Sequence, residues 1–257
     1  DSLFDPKLTP ISIGQAVTMY RQHPGRLHPD ITLPKSAMPP FPRSSKLAGF
    51  TPPAPGVYAY TTSGKDWIKY DGQNYNRKFP SVTPMTVRRG TGCIWELAFQ
   101  GGKQYTDGHV QCSTKGEFLC LAHLQHITFG NVHRAMTHRC APAMSQVAGK
   151  ADHPGGVEKT VCKAGPHEPS HISTEFKGTE KVDVGGQTRT AYHVVLDSTI
   201  EGDVVGTAVA EVWFDSQTGM YLRMLRTADA HVDLPGGGKA YYHARLTYRL
   251  RSMTPKA

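Results

Sequence analysis

The sequence predicts a mainly β protein: an antiparallel, strongly curved sheet or half-barrel, extended by a second β-meander and preceded by a Pro-rich N-terminal arm with one short helix. Three observations predict it. Gly and Pro supply 26 and 19 of the 257 residues, which favours turns and extended segments over a helical bundle. β-branched and aromatic runs recur between Gly, Asp and Asn punctuation through the first half of the chain. In the second half, apolar and polar residues alternate strictly over four successive segments, the period of a sheet with one apolar and one wet face.

Residues 1–56 form the arm, with eleven prolines from Pro6 to Pro55. One helix is expected within it. Thr9 can cap, Pro10 suits a first helical position, and Ile13, Val17 and Tyr20 share a face before His23-Pro24-Gly25 ends the pattern. The rest reads as extended and poor in hydrogen bonds, either a tether or a strap across a partner. Residues 57–257 form the β domain. In its first meander, 57–138, strands are expected at 57–62, 67–70, 82–88, 93–99, 105–112 and 117–129. Residues 139–170, rich in Pro, Gly, His and Lys, read as a disulfide-tied loop. The second meander, 171–252, carries the clean alternation: Tyr192, Val194 and Leu196, then Ala208, Ala210, Val212 and Phe214. After the turn Asp215-Ser216-Gln217-Thr218-Gly219 come Met220, Leu222 and Met224, and then Tyr242, Ala244, Leu246, Tyr248 and Leu250. Something must cover that apolar face, whether protein, partner or ligand.

Five cysteines bear on the compartment. Cys93 and Cys112 flank the turn Gln100-Gly101-Gly102-Lys103, so a hairpin brings them onto facing strands, while Cys140 and Cys162 close the base of the Pro/Gly-rich excursion. Cys120, which alternates with Phe118, Ala122 and Leu124, reads as a small buried hydrophobe. Two disulfides imply an oxidising, extracytoplasmic space. With no signal peptide and a first residue Asp1, the chain is expected to be a mature form whose export signal or anchor has been removed.

The net charge of +8 invites a nucleic-acid reading, but Lys and Arg do not cluster and no recognition motif accompanies them. A membrane surface or a membrane protein complex suits the same charge. No apolar run approaches the length of a spanning helix. There is no Gly-x-Ser-x-Gly elbow, and Gly236-Gly237-Gly238-Lys239 follows Leu234-Pro235 and precedes a strand, so it lacks the helix N-terminus of a phosphate loop. Asp197, Glu211, His193 and Arg245 share the wet face, where cross-strand charge pairing is the simpler account.

The runs Thr179-Glu180-Lys181-Val182-Asp183-Val184-Gly185-Gly186, Ala191-Tyr192-His193-Val194 and Ala210-Glu211-Val212-Trp213-Phe214-Asp215-Ser216-Gln217-Thr218-Gly219-Met220 resemble a group of exported, largely uncharacterised actinobacterial envelope proteins. Gly92-Cys93, Phe129-Gly130 and the pair Cys140 and Cys162 add to the resemblance, which spans roughly 56–250. Over about 175–250 the Val-Trp-Phe-Asp-x-x-Thr-Gly-Met hairpin also resembles LolA-type lipoprotein carriers, which wrap a curved sheet around a helix and bind acyl chains.

The resemblance implies a non-catalytic envelope protein holding a lipid or other apolar ligand. The ligand would lie against Val194, Leu196, Val212, Phe214, Leu222, Met224, Leu246 and Tyr248. The alternative is an accessory subunit, or an oligomer, assembled through the arm. No cofactor is called for. A metal-handling role is the third reading, drawn from the histidines His109, His123, His126, His133 and His138, with His133, Met136 and His138 as the first ligand set.

Overall fold

In the computed structural model, which describes residues 3–23, 50–114, 117–147, 153–165, 167–234 and 237–257, one helix precedes a single antiparallel sheet. The elements are α1 (Ile13–Gln22), β1 (Gly56–Tyr70), β2 (Gln73–Lys78), β3 (Val82–Arg89), β4 (Ile94–Gly102), β5 (Tyr105–Ser113) and β6 (Phe118–Phe129). They continue with β7 (Val132–Val147), β8 (Val157–Lys163), β9 (Pro169–Val184), β10 (Gln187–Ile200), β11 (Val204–Asp215), β12 (Tyr221–Asp233) and β13 (Lys239–Leu250).

From β3 to β13 each strand pairs with its neighbour in sequence, and β13 returns to pair with β1 from Tyr60↔Leu250 to Lys69↔Tyr241. The sheet thus curves into a ring without being a regular barrel. The mainly β, strongly curved architecture is as expected; the two meanders are halves of one circuit. On its other side β1 pairs first with β3 and then with β2, which hangs outside the circuit. Gly64 sits at that handover with φ +118°, and a Cβ there would fall 2.0 Å from the Arg245 carbonyl oxygen, so only glycine fits. The expected turn between 62 and 67 is therefore a kink inside one long strand. β2, in the polar run Gln73-Asn74-Tyr75-Asn76-Arg77-Lys78, carries no apolar signal and was not expected.

The thinnest junction is β7–β8, with two pairs, Arg139↔Lys163 and Cys140↔Cys162. Here the segment 139–170 departs from the expected tied loop, because it contributes the end of β7 and all of β8. Its Pro, Gly and His content hides strands that the Cys140–Cys162 disulfide pins at the junction. Cys93–Cys112 ties the segment just before β4 to β5, and Cys120 is free and buried.

The helix begins at Ser12 rather than Thr9. The Ser12 hydroxyl accepts from the Gln15 amide while the Gln15 side chain accepts from the Ser12 amide, a reciprocal cap that Thr9 cannot offer. Thr9 is engaged elsewhere, since its carbonyl accepts from the Lys103 amide. Ala16 and Tyr20 bury against Val57. The two described ends of the arm pack on the ring. Phe4 packs on Tyr70 and Tyr75, at 5.3 and 5.4 Å between ring centroids, and Phe50 on Phe118 and Tyr192 at the opposite end. Residues 24–49, most of the expected extended arm, lie outside the described residues.

The ring interior is the core. Phe99, Phe118, Phe214, Tyr60, Tyr221 and Tyr248 interlock there.

Candidate functional site

Every residue of the expected apolar face points into that interior. Val194, Leu196, Val212, Phe214, Leu222, Met224, Leu246 and Tyr248 are between 0% and 9% exposed and belong to one cluster of buried side chains. Leu196, Val212 and Met224 among them reach a cavity of about 110 Å³ beside the β7–β8 junction. The opposite wall is polar, formed by Asp107, His109, His123, Gln125, His138 and Gln146, with Arg226 entering from β12. Cys120, Met136 and Met144 also line it.

This polar wall is built by strand register. His109 on β5 lies opposite His123 on β6, and His123 opposite His138 on β7, so the three imidazoles stack in a ladder with ring centroids 4.6 and 6.4 Å apart. The sequence alone does not place His123 here. Regular alternation through β6 would put Cys120, Ala122 and Leu124 on one face and His123 on the other, but a bulge between Cys120 and Ala122 exchanges the faces midway. Cys120 stays inside, Ala122 and Leu124 join a second apolar cluster with Val110 and Leu121, and His123 turns inward.

Asp107, two residues before His109, shares that face. One carboxylate oxygen is 2.6 Å from His123 Nε2 and 3.8 Å from His109 Nε2, and the other meets the Arg226 guanidinium, which crosses the ring to reach it. Asp107 Oδ, His109 and His123 offer ligand atoms that all lie within 4.8 Å of one another. Burial pushes His123 and His138 down to about 4, and holds His109 well below the usual imidazole range, so at neutral pH all three are neutral with a lone pair to offer. Burial pushes the Cys120 thiol up to about 12, which keeps it protonated. His138 Nε2 and Gln146 Oε1, both buried, have no hydrogen-bond partner among the described residues.

The first ligand set is split. Met136 and His138 line the cavity, whereas His133 is exposed on the other face of β7 and meets the Thr128 hydroxyl at 3.1 Å. The wet-face group also separates. His193 bridges Glu180 and Glu211 at 2.7 and 2.8 Å while stacking on Trp213, and Arg245 instead pairs with Asp229 near His243. Asp197 is exposed. These are cross-strand pairs on the outside of the ring.

No protein-family model and no curated protein matches this chain. Among solved structures, one from Parabacteroides distasonis, described as that of a "putative lipoprotein", is similar over 80% of this chain and 99% of its own, at 10% identity and a TM-score of 0.39.

Proposed function

We propose that the protein is an extracytoplasmic binding protein that takes a small ligand into the cavity of its ring, the ligand resting one flank on Leu196, Val212 and Met224 and presenting polar atoms to the histidine wall. The observation that carries this reading is the cavity itself. Beside a core filled by aromatic side chains the ring leaves a space of about 110 Å³, and buried polar atoms without partners among the described residues line it. Such atoms cost about 1–3 kcal/mol each when left unpaired, so they favour a bound group that completes them. The volume suits a group on the scale of the benzene-binding cavities of about 150 Å³ rather than a long acyl chain. This narrows the lipid reading to small ligands that are apolar on one side. The two disulfides support an oxidising compartment.

Native mass spectrometry of the disulfide-intact chain, purified without reductant or chelator, tests the proposal. A small retained adduct is expected, and Ala210→Phe, which fills the cavity from β11, should abolish it while leaving the far-ultraviolet dichroism intact. Wild type that carries no adduct and takes up none from a panel of small amphipathic molecules would overturn the reading.

A further inference from the structure

We propose that Asp107, His109 and His123 form a binding site for one first-row transition-metal ion of the zinc or copper type, set into the polar wall of the cavity. This names a ligand for the cavity and rests on the reading that the cavity is a binding site.

Two imidazoles and a carboxylate on adjacent strands are a recurrent donor set for such ions, and they select against Ca²⁺ and Mg²⁺, which take oxygen ligands. The placement is fixed by the backbone. His109 and His123 are direct partners in the β5–β6 ladder, and Asp107 stands two residues along on the same face, so their convergence needs no long side chain to swing. The carboxylate oxygen lies 2.6 Å from His123 Nε2, so an ion entering there would displace the shared proton and part the two atoms to roughly 3.3 Å, a small side-chain adjustment. The surroundings are soft. Cys120 Sγ lies 4.0 Å from His109 Nδ1, and the thioethers of Met136, Met144 and Met224 line the same space. Arg226 engages the second carboxylate oxygen and so fixes the orientation of Asp107, as outer partners of metal ligands do. Independently of the three donors, His138 Nε2 and Gln146 Oε1 line the cavity without a partner among the described residues; a water on the ion would supply one.

The alternative is that Asp107–His123 is only a buried hydrogen bond. The two accounts differ in what the full, disulfide-intact chain does after chelator treatment. Titrated calorimetrically with Zn²⁺ in excess Mg²⁺, it should bind one equivalent, and Co²⁺ in its place should give the intense visible band of a low-symmetry site. His109→Ala and His123→Gln should each weaken Zn²⁺ binding at least about tenfold, the lower bound for disturbing a ligand shell, while remaining folded by near-ultraviolet dichroism. His133→Ala, on the opposite face, should bind as wild type does. Folded wild type that takes up no Zn²⁺, or uptake that survives in the doubly substituted His109→Ala/His123→Gln chain, would overturn the assignment. A small organic adduct retained by chain that binds no Zn²⁺ would sink the metal site alone; absence of both would sink the cavity reading with it.

Discussion

Removing the Cys140–Cys162 disulfide tests how the ring holds together. The crosslink spans 22 residues, so the loop entropy it withholds from the unfolded chain is worth about 3 kcal/mol, and Cys93–Cys112, spanning 19, is worth nearly the same. Chain entropy alone therefore predicts equal losses for Cys140→Ala/Cys162→Ala and Cys93→Ala/Cys112→Ala, each about 3 kcal/mol or roughly 6–12 °C in Tm. The structure predicts a further asymmetry. β7 and β8 share only two ladder pairs, and the disulfide sits on one of them, whereas Cys93–Cys112 adjoins a β4–β5 ladder that runs from Ile94↔Cys112 to Gly102↔Tyr105. Without its crosslink the β7–β8 junction should open locally. Urea denaturation under non-reducing conditions gives the global cost, and amide hydrogen exchange gives the local one. Exchange in Val157–Lys163 should accelerate in the Cys140/Cys162 variant and not in the other. Equal protection of β8 in both variants, or a loss below about 1 kcal/mol for the Cys140/Cys162 pair, would refute the reasoning.

Asp107→Asn should cost about 3–5 kcal/mol in urea denaturation of chelated protein, because it leaves the Arg226 charge buried opposite a neutral amide; Asp107→Leu/Arg226→Leu should recover much of that loss. Gly64→Ala should destabilise by more than about 1 kcal/mol, since the methyl meets the Arg245 carbonyl at a positive φ, and its urea midpoint reports this directly. The Trp213 indole N–H and His193 hold the Glu180 carboxyl below its usual range. The stability this contributes is present above the ordinary glutamate pKa and is lost as pH falls through the depressed one, so Glu180→Gln should flatten the acid side of a urea-midpoint profile taken down to about pH 3.

Period-two alternation made β10 to β13 legible, because over most of its length each of those strands has one face toward the core and one toward water, while the stretch Val212–Asp215 of β11 is buried on both. Where apolar residues are sparse, the signal fails: β2 is too polar to register, and β8 alternates only weakly among Lys and Glu. The disulfides were legible from spacing around turns. The histidine wall was not, for two physical reasons. A bulge at Cys120/Ala122 shifts the phase of β6 halfway along, and the contacts among His109, His123 and His138 depend on cross-strand register, which no local period reports. Thr9 failed as a cap because the weight given to Pro10 at the first helical position outranked Ser12, which is the better cap by propensity and has the reciprocal partner Gln15 three residues on.

The closure of β1 on β13 sets an order of events. Ten residue pairs, from Tyr60↔Leu250 to Lys69↔Tyr241, join the first strand to the last, so the ring is completed by the contact of longest sequence separation in the sheet. Folding dominated by such contacts is slow, and until the final strand arrives both β1 and β12 present bare backbone on which another chain can add. A nascent chain would pass through a stage with two open edges and its aromatic interior uncovered, the stage at which a holding chaperone would be most effective. Afterwards the short, polar β2 keeps one side unpaired, as do most of the facing edges of β7 and β8, and with its Asn, Arg and Lys side chains it offers little to an intruding strand.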